Sequence, residues 1–311
     1  MENRALGMNE GFGRINRSVI GAALIVFAAA AWGMSGIFVT LILNNSSGTS
    51  ISLAFWRDTA AFVTLFLFTL FTRPQDLKIA KKDLPCIVAM GFFLGGFHIF
   101  YNQSVMLNGA AVTTVLQAAM PAIVTVAAFY LWKEDLTREK WLSMVIIFIG
   151  TALASGINLF ALELTDRAGL AAGCIVPFFY AGWSLCGKRL VSKYGATACL
   201  AIAFGIASIL LLPLQPFTSQ PFPLNPTIVL SFCGLIGVST FGAFTLYLLG
   251  MNYIQAGVAS IIVMSEILFA GVYAWFLLGE QLTLVQILGT FLVIAGVVWL
   301  SYRQNKKPGT V

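Results

Sequence analysis

The chain is a succession of apolar runs, each long enough to cross a lipid bilayer, separated by short polar joints. A spanning helix needs roughly 17–25 mostly apolar residues. By that measure spans lie near 18–43, 50–72, 84–104, 110–132, 140–158, 168–187, 196–216, 227–249, 256–278 and 283–302. The joints carry turn-forming and charged residues: Asn44–Gly48, Arg73-Pro74, Lys133–Lys140 and Pro213–Pro226. Only the barely polar Met251–Ala256 separates the eighth span from the ninth. With 59% hydrophobic and 10% charged residues, the chain lacks the roughly 25% of charged side chains that cover a soluble domain. Its mean hydropathy of +0.90 points the same way. The expected fold is an all-α membrane protein of ten transmembrane helices.

The first 17 residues are polar and lightly basic, and the run that follows is too long for a signal-peptide core and lacks a cleavage region. It is expected to remain as the first span. The cysteines (Cys86, Cys174, Cys186, Cys199, Cys233) are odd in number, fall in or beside apolar runs and have no metal-ligand spacing. They read as small packing residues.

A net charge of +6 would suit nucleic acid, but the placement of the charges excludes that partner. With the N-terminus in the cytoplasm, ten spans put Arg4, Arg14, Arg17, Arg73, Lys78, Lys81, Lys82, Lys133, Arg138 and Lys140 on the inner side. Lys188, Arg189, Lys193, Arg303, Lys306 and Lys307 join them, making sixteen of the eighteen basic residues. Cytoplasmic loops are the ones enriched in lysine and arginine. Arg57 and Arg167 lie elsewhere, and both termini are expected inside.

A shift of 146 residues aligns Tyr101 with Tyr247, Ala110-Ala111-Val112 with Ala256-Gly257-Val258, Glu134 with Glu280, Leu136-Thr137 with Leu282-Thr283, and Gly150 with Gly296. A shift of 151 aligns Trp32 with Trp183 and Gly36 with Gly187. Two repeats of five spans must cross the bilayer in opposite directions, an architecture found in transporters. The expected division is a cytoplasmic tail (1–17), a first five-helix repeat (18–158), a second (168–303) and a C-terminal tail (304–311).

The chain resembles the drug/metabolite transporter superfamily, specifically proteins with two EamA-like domains. The residues that carry the likeness are Ala31-Trp32-Gly33-Met34-Ser35, Arg57, Pro121 and Lys133-Glu134-Asp135-Leu136-Thr137 in the first half. In the second they are Gly182-Trp183, Gly187-Lys188-Arg189, Gly279-Glu280-Gln281-Leu282-Thr283, Gln286, Gly289 and Gly296. The resemblance implies export of amino acids, other metabolites, nucleosides or drugs across a bacterial cytoplasmic membrane. It also implies a central cavity lined by spans 1, 3, 4, 6, 8 and 9. One departure stands out: the Glu-Pro pair often found in the ninth span is split here, with Glu266 followed by Ile267, and Pro121 preceded by Met120.

Ionisable groups deep in a membrane are functional candidates because they are costly there. Glu266 lies near the middle of span nine and His98 within span three. Either is able to exchange protons with a pathway; for Glu266 the plainer alternative is a hydrogen bond to a neighbouring helix. Tyr101 and Asn102 follow His98 at i+3 and i+4, forming one polar face. Thr113, Gln117 and Pro121 form a stripe in span four, where the proline is expected to kink the helix. Trp32 and Trp183 sit inside their spans rather than at the interface, with Tyr180 one turn before Trp183 and Tyr247 matching Tyr101. These rings line a cavity for an apolar or aromatic substrate, or else pack between helices. Arg57 and Asp58 are adjacent and are expected to point apart, with Arg57 an anchor for span two or a contact for an anionic group. Glu134 and Glu280 read as helix-end structural residues, and Gly91 with Gly95 and Gly169 with Gly173 as packing stripes.

The expected function is a secondary transporter exporting amino acids, by proton coupling or by facilitated diffusion, with multidrug or nucleoside efflux as the alternative. No phosphate-binding loop, zinc-binding pair of histidines or nucleophile elbow is encoded, so neither ATP hydrolysis nor intramembrane catalysis is expected, and no cofactor.

Overall fold

The apolar runs fold as helices, and no strand occurs among the described residues. The structure is a computed structural model that describes residues 2–155, 166–215, 222–279 and 283–305. Its helices are α1 (Glu2–Gly33), α2 (Ser35–Asn44), α3 (Ser50–Thr72), α4 (Leu84–Gln117), α5 (Met120–Trp132) and α6 (Arg138–Ala154). They continue as α7 (Arg167–Tyr194), α8 (Ala196–Leu211), α9 (Pro226–Gly234), α10 (Ala243–Gly250), α11 (Ala256–Ile262), α12 (Glu266–Leu278) and α13 (Leu284–Asn305). A π-helical segment, Leu235–Gly242, joins α9 to α10.

The polar joints cap these helices. The hydroxyls of Thr49 and Thr137 accept from the backbone N–H of Ser52 and Lys140. The Asp166 carboxylate accepts from Ala168 and Gly169, and the Asn225 side chain accepts from Ile228, with Pro226 at the first helical position. Lys133 adopts a left-handed conformation that ends α5, and Gly195 has φ 72° in the single-residue joint between α7 and α8.

Nine stretches among the described residues are long and apolar enough to cross a membrane. The expected fifth span appears as the 17-residue α6; positions 156–158 lie outside the described residues, as do Glu280-Gln281-Leu282 and 306–311. Two differences from the sequence reading stand out. The expected tail is helical from Glu2 onward and runs into the first span without a break. The third and fourth spans also share one helical element, α4. Within it Ser104 Oγ and Thr113 Oγ1 lie 2.8 Å apart. Nine residues of straight helix would separate them by about 13.5 Å, so the axis doubles back between them and the two spans remain distinct.

The halves interleave rather than forming two separate bundles. Helix pairs that pack along one another across the halves include α4 with α7, α1 with α10, α3 with α8, α5 with α11 and α6 with α13. Exchanging first-half spans for their second-half equivalents maps the first two pairs onto each other and each of the others onto itself. Interleaving follows from where the small residues lie, since lipid offers no hydrophobic drive between helices and backbone approach decides the partner. A Cβ on Gly289 of α13 would lie 2.3 Å from the Ala154 nitrogen of α6, and one on Gly91 of α4 2.5 Å from Ile206 of α8.

The side-chain distribution is that of a bilayer protein. Phe71, Leu230 and Phe276 are exposed, while Asp58, His98 and Lys140 are buried. The joints 73–83, 133–137 and 251–255 gather at one end with the last turns of α7, tied by bonds described below. The opposite end is held by a small apolar cluster of Ile42, Leu53, Ile228 and Leu235.

Candidate functional site

Three arrangements occupy the interior. The first is an aromatic cluster at the meeting of α1, α7 and α10. Trp32 and Trp183, equivalent in the two repeats, meet edge-on with centroids 6.4 Å apart. Trp32 also meets Phe244 at 4.8 Å and Tyr180 at 6.4 Å, and Trp183 stacks on Tyr247 at 5.6 Å and 19°. Edge-on and offset pairs of this kind contribute about 0.5–1.5 kcal/mol each beyond burial. The Tyr247 hydroxyl is paired with Ser184 Oγ at 2.7 Å. Trp183 is 1% exposed, and its indole N–H is buried without an acceptor among the described residues. Tyr101 packs on Phe97, which packs on Tyr180, and hydrogen-bonds Thr114 across the reversal in α4.

The second arrangement lies where two spans break. The fourth stops at Gln117 and resumes at Met120; the ninth stops at Ile262, passes through a tight turn Val263–Ser265 and resumes at Glu266. Under the shift of 146 the breaks coincide, although only one has a proline. Pro121 is buried at the start of α5 and lacks the N–H the helix would need. The expected stripe Thr113–Gln117–Pro121 is therefore cut before its last member. Across the two breaks Gln117 Nε2 donates to Glu266 Oε1 at 3.1 Å. Glu266 also lies within electrostatic range of Tyr101, Tyr180 and Tyr247.

The third is a buried ion relay at the start of α3. His98 Nδ1 and Asp58 Oδ2 are 2.7 Å apart, Arg57 Nη2 bonds His98 Nε2, and Arg57 Nε lies 3.5 Å from Asp58 Oδ1. Arginine only donates, so His98 accepts at Nε2 and carries its proton on Nδ1, donating to the carboxylate. The expectation that Arg57 and Asp58 point apart is overturned. Their Cβ directions do diverge, but the long guanidinium folds back, and His98 of α4 bridges the two. The His98 ring is thereby committed to α3. Asn102 instead lines a cleft of about 40 Å³ with Arg57, Val39, Leu53, Ala54 and Leu235.

The end bearing the basic joints is closed. Glu134 accepts from the backbone N–H of Ala256 at 2.8 Å and of Gly257 at 3.2 Å, the first residues of α11. Lys140 Nζ donates to Gln255 Oε1 at 2.7 Å and Asp135 O at 2.8 Å and lies 3.9 Å from Glu134. Lys188 donates to the carbonyls of Met251 and Ile254. Lys193 and the Tyr194 hydroxyl donate to Asp83, at 3.0 and 2.8 Å, and hold its carboxyl below the ordinary carboxylate range. Glu134 is indeed at a helix end, but it caps a helix of the other half.

Asp58 and Phe244 are members of these groups that the sequence reading did not assign to a site, and Lys140 and Lys188, read there as charges of the cytoplasmic side, are bonded to the 251–255 joint. Phe244 had a signal: it is the position equivalent to His98 under the repeat.

Comparison with known proteins agrees with this architecture. The chain is 27% identical over 293 residues to an uncharacterized inner membrane transporter, YicL, of Salmonella typhimurium, covering 91% of this chain and 95% of that protein. It is 25% identical to an uncharacterized transporter of Archaeoglobus fulgidus (71% and 78% covered) and 25% identical to the uncharacterized transporter YxxF of Bacillus subtilis (91% and 90%). A solved crystal structure shares the fold with a TM-score of 0.77 at 16% identity, over 91% of this chain and 98% of the other. The EamA-like transporter family matches residues 19–156 and 167–302, the two repeats, and the chain belongs to that family.

Proposed function

We propose that the chain is a secondary transporter exporting amino acids, aromatic or otherwise hydrophobic, or related small metabolites across the bacterial cytoplasmic membrane by alternating access. In this reading it crosses the bilayer ten times as two oppositely oriented repeats, with both termini and the basic joints inside. The closed end then faces the cytoplasm and the Arg57 cleft faces outward.

The observation that carries the reading is the Glu266 carboxylate, held by Gln117 at coincident helix breaks beside the aromatic cluster. An acidic side chain at the centre of a span costs about 2.5–3.5 kcal/mol, and such groups mark ion and substrate pathways. A carboxylate binds a proton or the ammonium group of an amino acid, but not both. That competition exchanges one departing substrate for one entering proton. Tyr180, Tyr247 and Trp32 offer ring faces to the ammonium group and to an apolar side chain.

The test is flux from liposomes containing the purified protein and loaded with L-phenylalanine or L-leucine. An outside-acid gradient is expected to accelerate efflux, and Glu266→Gln to remove the response to the gradient while leaving membrane insertion intact. Efflux no faster than from protein-free liposomes sinks the reading. The stacked Trp183–Tyr247 pair favours a second reading, efflux of planar drugs or nucleosides; faster flux of such compounds than of amino acids would select it.

A further inference from the structure

We propose that Arg57 is an anion subsite of the outer cleft that takes the carboxylate group of the transported solute. The inference rests on the transporter reading and assigns it a substrate feature. The relay is built asymmetrically with respect to solvent. Asp58 is 0% and His98 3% exposed, whereas the Arg57 side chain is 17% exposed and is the one member that lines the cleft. The negative charge is sealed behind the helix and the positive charge is presented. The guanidinium carries five N–H donors in a planar fork; one is committed to His98, and Nε makes an ion pair with Asp58 at 3.5 Å without a hydrogen bond. The donors that remain are those an incoming carboxylate uses in a bidentate contact.

The cleft's lining restricts the guest, with Arg57 as its one charged residue. Its other walls are apolar (Val39, Leu53, Ala54, Leu235) except for Asn102. Such walls favour a carboxylate carried on an apolar stem over a fully hydrated inorganic anion. The relay also keeps Arg57 in place when the cleft is empty, because His98 and Asp58 satisfy part of the fork from behind. The guest therefore meets a pre-positioned group rather than a floppy one.

The experiment compares L-phenylalanine, L-leucine and L-threonine with their C-terminal amides in binding and liposome flux, in the wild type and in the charge-balanced double variant Arg57→Gln/Asp58→Asn. A preference for the acid over the amide of about tenfold or more is expected in the wild type, falling to within twofold in the double variant. A preference that survives the double variant overturns the subsite and leaves the transporter reading standing. No saturable flux of any of the six compounds sinks that reading and the subsite with it. A second measurement needs only the wild type: L-phenylalanine, and not its amide, is expected to protect Arg57 from phenylglyoxal, read by peptide mass spectrometry. Equal protection by the amide, or equal protection by potassium sulfate, overturns a carboxylate site.

Discussion

Replacing Glu134 by glutamine tests whether the closed end is a gate. The carboxylate, 8% exposed, accepts from Ala256 at 2.8 Å and Gly257 at 3.2 Å, one oxygen to each. Glutamine preserves the shape but turns one acceptor into a donor that opposes a backbone N–H. A hydrogen bond to a charged group contributes about 1.5–3 kcal/mol, and one between neutral groups about 0.5–1.5. Losing one charged bond and neutralising the other therefore costs roughly 2–4 kcal/mol of the closed arrangement. Lys140 retains Gln255 and Asp135 as acceptors, so its own loss is small. At 1.4 kcal/mol per tenfold, the open population is expected to rise at least about 25-fold. The assay is modification of Ser260→Cys by a water-soluble maleimide in a background without the native cysteines. Ser260 is fully buried on α11, one turn behind the residues Glu134 holds. If opening precedes labelling, the rate follows the open population. Labelling within twofold of the parent refutes the gate; a fall in Tm without faster labelling reduces Glu134 to a stabilising cap.

Two further outcomes follow from the same bonds and contacts. Trp183→Ala removes a fully buried indole that touches Trp32, Tyr180, Phe244 and Tyr247, and is expected to cost about 3–5 kcal/mol of stability, measured by thermal unfolding in detergent, and to abolish flux in the protein that still inserts. A variant of parental stability and flux contradicts the cluster's role. Asp83 contributes through its charged form: its folded carboxyl lies below its unfolded value of 3.8, so its stabilisation is present above that value and is lost as pH falls through the folded one. Asp83→Asn is therefore expected to lower stability at pH 7 and to flatten its decline under acid, and an unchanged acid limb in urea titrations speaks against the Lys193–Tyr194 link.

The spans, their polar joints and the repeat were legible because each leaves a long-range pattern: run length, charge placement and an offset. The caps Thr137 and Asp166 act on residues two or three positions on, a local signal that the sequence reading did not draw on. What the sequence concealed depends on side-chain reach and on tertiary partners. Periodicity places Arg57 and Asp58 about 100° apart on α3, and says nothing of a histidine on α4 that joins their ends. The break at Val263–Ser265 has no proline to announce it, and Ile267 sits where the other half has Pro121. The second break lies among buried residues, and only the offset from Gln117–Met120 pointed to it. Lysines at span ends look like solvated anchors until a neighbouring loop, here 251–255, folds over them.

Symmetry and chemistry divide the labour in this molecule. Contacts between equivalent or nearly equivalent residues run down its middle: Trp32 with Trp183, Thr59 with Ser208 at 2.7 Å, Gln117 with Glu266 at 3.1 Å. In the proposed alternating-access cycle, a scaffold built this way would pass between two related packings with the halves' roles exchanged. Were the side chains symmetric as well, the two packings would be equal in energy and no step would have a preferred direction. They are not. At an offset of 149 Arg57 and Asp58 correspond to Ile206 and Ala207, and at 146 His98 corresponds to Phe244 and Glu266 to Met120. The relay and the Glu266 carboxylate therefore each exist once, opposite apolar counterparts. A ligand or proton shifts a two-state equilibrium only by its differential affinity for the two states. The unduplicated relay and the unduplicated carboxylate are where that difference has to arise. Substitutions at Ile206, Ala207 or Met120 that restore a charge should alter the balance of states more than those at the shared glycines and tryptophans, which serve both packings alike.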